Sequence, residues 1–301
     1  MSIELRLHTI DSLYDIVFQN VLSEGGKIFL GSASPRICRF CNQTETETRF
    51  RKIAHALPAS IGNKRLILID ECDQCNEYFA NTLEDSFGKY SKSYRTMFGI
   101  KAKRKVPSYK TNTQVARIDV DTKNRAIRIG GDEDVIFRAN EKENQYTLAM
   151  HIEPYSPLAV YKALVKMALS TLEADMLHDF IDVVGWIRFN KKQEFFPGPH
   201  FMCQRFTPGP SFGSSLFVVT FQRRPEISTE YPRLMFLCVM GSIALQIGIP
   251  SKGEQVLHLP LFPIPGEDQA TYSSVQTEIV NLTSNEYVRT DRRLFSMRQQ
   301  R

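Results

Sequence analysis

Two cysteine pairs constrain this chain more than any other feature: Cys38-Arg-Phe-Cys41 and Cys72-Asp-Gln-Cys75. A CxxC turn lets two thiolates face one point, and a second pair from a distant segment can close a tetrahedron around a metal ion. Disulfides are the competing use of paired cysteines, and they belong to oxidising compartments. The opening residues MSIELRLHTIDSL hold no basic stretch followed by an apolar one, so we expect no secretory leader and a cytoplasmic protein. In that setting the two pairs predict one structural Zn2+ site with Cys38, Cys41, Cys72 and Cys75 as ligands. A redox CxxC would explain one pair but not both. Four protein ligands leave no open position, so the ion would staple the chain rather than catalyse. Cys203 and Cys238 stand in apolar surroundings and are expected to be buried thiols.

The segment between the pairs carries a short pattern of its own. Thr48 to Ile53 is expected to pair as a strand with Arg65 to Ile69 across a loop from Pro58 to Gly62. A helix is expected to begin near Asp73, where Phe79, Leu83 and Phe87 fall at i, i+4 and i+8 on one apolar stripe. The local order is strand, loop, strand, helix, with the cysteines at its outer corners.

Cys38-x-x-Cys41, Ala54-His55-Ala56-Leu57-Pro58, Gly62-Asn63-Lys64 and Glu71-Cys72-x-x-Cys75-Asn76 together resemble an HNH endonuclease domain of the ββα-metal fold. The resemblance runs from Cys38 to Phe87 and is to the subgroup with an AH-x-x-P loop and an ECxxCN helix start. It implies that His55 is a general base taking a proton from an attacking water, a task suited to an imidazole with an ordinary pKa of about 6.5. A histidine packed at a strand end is the plainer reading of the same residue. The resemblance also implies that Asn76 offers an oxygen to a catalytic Mg2+ or Mn2+, although Asn76 as a helix cap remains an alternative. Two positions depart from the family pattern. The acidic residue expected before the base is Ala54, and the central asparagine expected in the second strand falls near Ile67. Asn63 and Glu71, with Asp70 and Glu84, are the nearby oxygen-bearing candidates to complete the metal site.

Formal net charge is +5, and its distribution says more than its size. From Gly88 to Lys110 the charged residues are Lys89, Lys92, Arg95, Lys101, Lys103, Arg104, Lys105 and Lys110, with no Asp or Glu among them. Such a run is either a solvated linker or a segment that tracks phosphates by releasing their counterions. Lys64, Lys101, Lys103, Arg104 and Lys105 are the candidate nucleic-acid contacts. Leu234 to Ile249 is too short and too interrupted, by Gly241, Ser242 and Gln246, to span a bilayer. It predicts two buried strands around a Gly-Ser turn, and no membrane association.

Elsewhere the chain predicts structure without chemistry. A helix is expected at Ile10 to Leu22, a strand at Lys27 to Leu30, and a hairpin from Val115–Val120 and Ala126–Ile129 with Val135–Arg138 as its third strand. Further strands are expected at Tyr146–Ile152 and Leu216–Gln222, and helices from Pro157 and at Glu173 to Val184. Lys162 and Lys166 are expected to be solvated surface lysines, and the basic tail from Asn285 to fray. These elements give an α+β fold. A short N-terminal segment (1–37) precedes a zinc-stapled HNH module (38–100). A basic linker (101–110) then leads to a larger α+β domain (111–301) suited to target recognition, sensing, partner binding or homo-oligomerisation. The function expected is metal-dependent hydrolysis of phosphodiester bonds. Double-stranded DNA is the implied substrate, RNA stays open, and bacterial antiviral defence or restriction is a fitting context. The other reading is a non-catalytic, zinc-dependent DNA-binding regulator that kept the fold and lost the metal site.

Overall fold

Alternating and continuous apolar runs set the strands, and capped amphipathic segments set the helices. In the computed structural model the described residues are 10–22, 25–102, 105–111, 113–124, 126–140, 145–188, 196, 199–207, 216–264 and 275–298. A helical turn α1 (Ile10–Leu13) leads into β1 (Tyr14–Leu22), β2 (Ile28–Leu30), β3 (Ala54–His55) and β4 (Leu66–Leu68). Helices α2 (Asp73–Asn81) and α3 (Leu83–Met97) follow. Next come β5 (Tyr109–Lys110), β6 (Ala116–Asp121), β7 (Ala126–Gly131), β8 (Phe137–Asn140) and β9 (Gln145–His151). Helices α4 (Pro157–Ser170), α5 (Ala174–His178) and α6 (Ile181–Arg188) precede β10 (Phe201–Phe206), β11 (Leu216–Arg223), β12 (Leu234–Met240), β13 (Ile243–Ile249), β14 (Gln276–Asn281) and β15 (Arg292–Arg298).

The largest sheet has six antiparallel strands in the order β1-β11-β12-β13-β10-β14. Its centre is the predicted hairpin: β12 and β13 are joined by Gly241-Ser242, and Gly241 has φ +59°, the conformation a tight hairpin turn takes from glycine. Both faces are covered. Met202, Val218, Phe236 and Leu245 face a core shared with α3 and α4, while Val219, Phe221, Leu237 and Ala244 face Leu259, Leu261 and Phe262. The first of these cores runs without a break to Cys38, Phe40, Cys72 and Phe79.

Several expectations are corrected. Residues 14–22 form strand β1, not a helix, because they complete the sheet edge against β11. The strand expected at 48–53 lies one step later, as Ala54–His55 paired with Leu66–Leu68. Asp73 holds the preceding residues as loop, its Oδ1 accepting from the backbone N–H of Arg51 and of Lys52 at 2.8 Å each. The Phe79, Leu83, Phe87 stripe is buried as expected, but on two helices broken at Thr82 (φ −118°, ψ −74°). The helix expected at 173–184 is likewise two, α5 and α6. β6 and β7 form the hairpin, yet β8 leaves it to pair with β9. The basic tail does not fray through 292–298: β15 pairs with β9, Phe295 is buried, and the Arg293 guanidinium sits 3.7 Å from the Tyr94 ring centre. No helix among the described residues is long and apolar enough to cross a membrane.

Candidate metal centre and active site

The four cysteine sulfurs lie within 4.8 Å of one another. Sulfurs at the corners of a tetrahedron with bonds of about 2.3 Å should be about 3.8 Å apart, and Cys41 and Cys72 are separated by 3.6 Å. The residues therefore fit a zinc ion. The backbone is arranged for negative sulfur: the Cys72 N–H donates to Cys38 Sγ at 3.4 Å and the Cys75 N–H to Cys72 Sγ at 3.5 Å. The Cys75 side chain and neighbouring N–H groups lower the Cys38 thiol against burial, while the Cys38 hydrogen bond and burial raise Cys75. Phe40 and Phe79 pack edge to face at 4.8 Å in the same core cluster as these cysteines. Cys203 and Cys238 are buried apart from the cluster, as expected.

Helix α4 braces the module at both knuckles. Arg39, inside the first CxxC, makes a two-pronged pair with Asp70 at 2.8 and 2.9 Å. Its remaining nitrogen donates to the carbonyls of Leu169, Ser170 and Leu172 at 3.1–3.2 Å, capping the end of α4. Gly31 makes this possible, since a Cβ there would lie 2.3 Å from the Asp70 carboxylate. Lys166 comes from the middle of the same helix. Its Nζ lies 2.9 Å from the His55 main-chain oxygen, 3.1 Å from Glu71 and 3.4 Å from Glu84. Sequence reasoning placed Lys162 and Lys166 in solvent, but both are buried. Lys162 donates to the Trp186 carbonyl at 2.9 Å, and burial lowers it to about 8. Nothing in the spacing of α4 distinguishes these lysines from surface ones; their partners come from other elements.

His55 ends β3 opposite Ile67, the position where the family pattern expects asparagine, and Ile67 is a core side chain. The loop after it is held by Asn63. That carboxamide is fully buried, donates to the carbonyls of Leu57 (2.8 Å) and Leu66 (3.0 Å), and accepts from the N–H of Arg65 and of Leu66. With both its oxygen and nitrogen hydrogen-bonded to the backbone, Asn63 braces the loop. Glu71 is fully buried in an ion pair with Lys166 at 3.1 Å, neither of its oxygens has a hydrogen-bond partner among the described residues, and burial pushes its carboxyl up to about 7 although Lys166 pulls it down. Asp70 and Glu84 are taken by Arg39 and Lys166. Asn76 differs. It is half-buried in the first turn of α2, and no described residue engages its carboxamide. The cap of α2 is Cys72, whose sulfur accepts from Cys75 N–H, so Asn76 is not needed there.

The basic stretch divides. Lys89 pairs with Asp85 and Lys92 with Glu153, and Arg95 is buried against the carbonyls of Ser60 and Gly88. Lys64, Lys101 and Lys105 are exposed, and the Lys101 backbone passes beside Gly62 in the His55 loop. Lys103 and Arg104 lie outside the described residues. Away from this region a cavity of about 410 Å³ is lined by Tyr161, His200 and Pro250 among others, and it includes none of the residues named above for the metal sites. The His200 ring stacks on Tyr161 at 4.8 Å, and burial, then Lys162, lowers it to about 4.

No curated protein and no solved structure matches the chain. A family comparison does: residues 38–91, from the first knuckle into α3, match the HNH endonuclease family model, and the four-cysteine cluster within that segment is a possible zinc site.

Proposed function

We propose that the protein is a metal-dependent endonuclease that hydrolyses phosphodiester bonds, with His55 as the general base. The observation that carries this is the setting of His55: it ends β3 within the matched segment, braced by the cysteine cluster, the Asn63-held loop and α4. His55 takes the proton from water as it attacks phosphorus. Asn76, uncommitted on α2, would offer its side-chain oxygen to a divalent ion, a type of ion that prefers oxygen ligands. That Mg2+ or Mn2+ would neutralise charge on the phosphate as the 3′ oxygen leaves. Lys64, Lys101 and Lys105 lie along the backbone of the nucleic acid, which we take to be double-stranded DNA, with defence against foreign DNA as the context.

The test is incubation of purified protein with supercoiled plasmid and Mg2+ or Mn2+, beside His55→Ala. Metal-dependent nicking lost in the variant supports the reading; nicking that survives removes His55 from the mechanism. Ala54 and Ile67 are buried apolar residues at two positions where the family pattern has metal-site side chains, and this favours a second reading, a DNA-binding regulator without catalysis. Binding without cleavage, with either metal, would select it.

A further inference from the structure

We propose that Lys166 is a positioning residue for His55, through which helix α4 fixes the main chain that carries the base. The inference rests on the role of His55 given above, but Lys166 itself lies far outside the segment that matches the family.

The peptide unit between His55 and Ala56 is held at both polar ends. The Ala56 N–H donates to the Leu66 carbonyl at 3.2 Å, within the small sheet. The His55 carbonyl accepts from Lys166 Nζ at 2.9 Å, from a residue 111 positions away. Lys166 Nζ donates to the His55 carbonyl and to Glu84, and its charge faces Glu71 in an ion pair at 3.1 Å. The lysine is 1% exposed, and its Nζ lies 5.9 and 5.8 Å from the ring centres of Phe40 and Phe79. An apolar side chain would fill such a site at lower desolvation cost. What an apolar side chain could not supply is a donor for the His55 carbonyl. Glu71 directly precedes Cys72, so the same ammonium ties the base strand to the second zinc knuckle. With this peptide plane held and the preceding residue paired in β3 against Leu68, the Cα–Cβ bond of His55 has a narrow range of directions and the imidazole a small set of positions. A displacement of about 1 Å at such a group costs about 10² in rate.

The experiment compares Lys166→Met, Lys166→Arg and a triple variant, Lys166→Met with Glu71→Gln and Glu84→Gln. The triple variant leaves no buried charge uncompensated, so it is expected to fold even where Lys166→Met alone does not. Zinc content and thermal unfolding establish which variants are intact. In plasmid cleavage, Lys166→Met or the triple variant should lose about 10- to 100-fold in kcat with KM within about twofold. Lys166→Arg, which keeps a donor, should recover part of the loss. Amide hydrogen exchange at Ala56 reads the same peptide without reference to activity and should accelerate in the triple variant. An intact, zinc-loaded triple variant with wild-type kcat, or with unchanged protection at Ala56, overturns the inference. A wild-type protein that never cleaves defeats the proposed function instead, and exchange at Ala56 then decides the positioning claim alone.

Discussion

Lys166 Nζ donates to the main-chain oxygen of His55 at 2.9 Å, so a helix outside the HNH match reaches into the matched segment. Arg39 makes a second tie, from the first zinc knuckle to the C-terminal carbonyls of the same helix. The module is thus braced by α4 on both sides of its cysteine cluster.

Replacing Arg39 by Met should destabilise the protein by about 3–5 kcal/mol, because Asp70 would be left buried without its partner. Denaturant unfolding measures this. A double variant that also carries Asp70→Asn should recover part of the loss, and equal stability of the single variant and wild type would show that the pair holds nothing.

His55→Ala should lower metal-dependent cleavage by about 10²–10⁴-fold while leaving DNA affinity nearly unchanged. Single-turnover cleavage and a gel-shift titration on the same preparation separate the two effects. The Tm should change little, since the neighbouring contact to Lys166 uses the main-chain oxygen.

Elemental analysis should find one zinc per chain. Stripping it with a chelator, or replacing Cys72 by Ser, should lower Tm by roughly 10 °C or more, because the cluster anchors Phe40 and Phe79 in the shared core. Zinc retained at full stoichiometry with all four cysteines replaced would rule out this site.

The two asparagines should behave oppositely. Asn63→Ala breaks four hydrogen bonds, three of them buried, and should cost about 2–4 kcal/mol of stability. Asn76→Ala should leave stability within about 1 kcal/mol but raise the Mg2+ concentration needed for cleavage by about tenfold. Unfolding curves and metal titrations of both variants check the contrast.

Acid should weaken the fold partly through His200. Its pKa is about 4 when folded, against an ordinary 6.5, because the imidazole is buried between Tyr161 and Trp186 with Lys162 nearby. The unfolded chain therefore binds more protons between these values. The contribution is fully present above about pH 6.5 and is lost as pH falls through about 4, by about 3 kcal/mol in total. His200→Phe should flatten unfolding free energy across that window; an unchanged slope would show that other groups carry it.

Local spacing was enough to read the cysteine cluster, the strand before the His55 loop in outline, the α2–α3 apolar stripe and the Leu234–Ile249 hairpin. Each depends on residues close in sequence: a CxxC turn, an i, i+4 stripe, a Gly-Ser turn between apolar runs. The edges were less legible, as the Ala54–His55 strand shows, because Asp73 rather than strand propensity decides where residues 51 and 52 send their N–H groups. The segment 14–22 could have been an apolar helix face; its pairing with β11, about two hundred residues later, made it a strand. Charged and polar groups were the hardest to place. Lys166, Glu71 and Asn63 read alone as a surface lysine and two metal-ligand candidates, but burial forces each to find partners, and only the fold supplies them. The sequence by itself determined the four cysteines that could hold zinc and the HNH-like segment at 38–91. Tertiary structure decided which of its polar residues remain uncommitted, and that the main chain of His55 is held by a lysine 111 residues away.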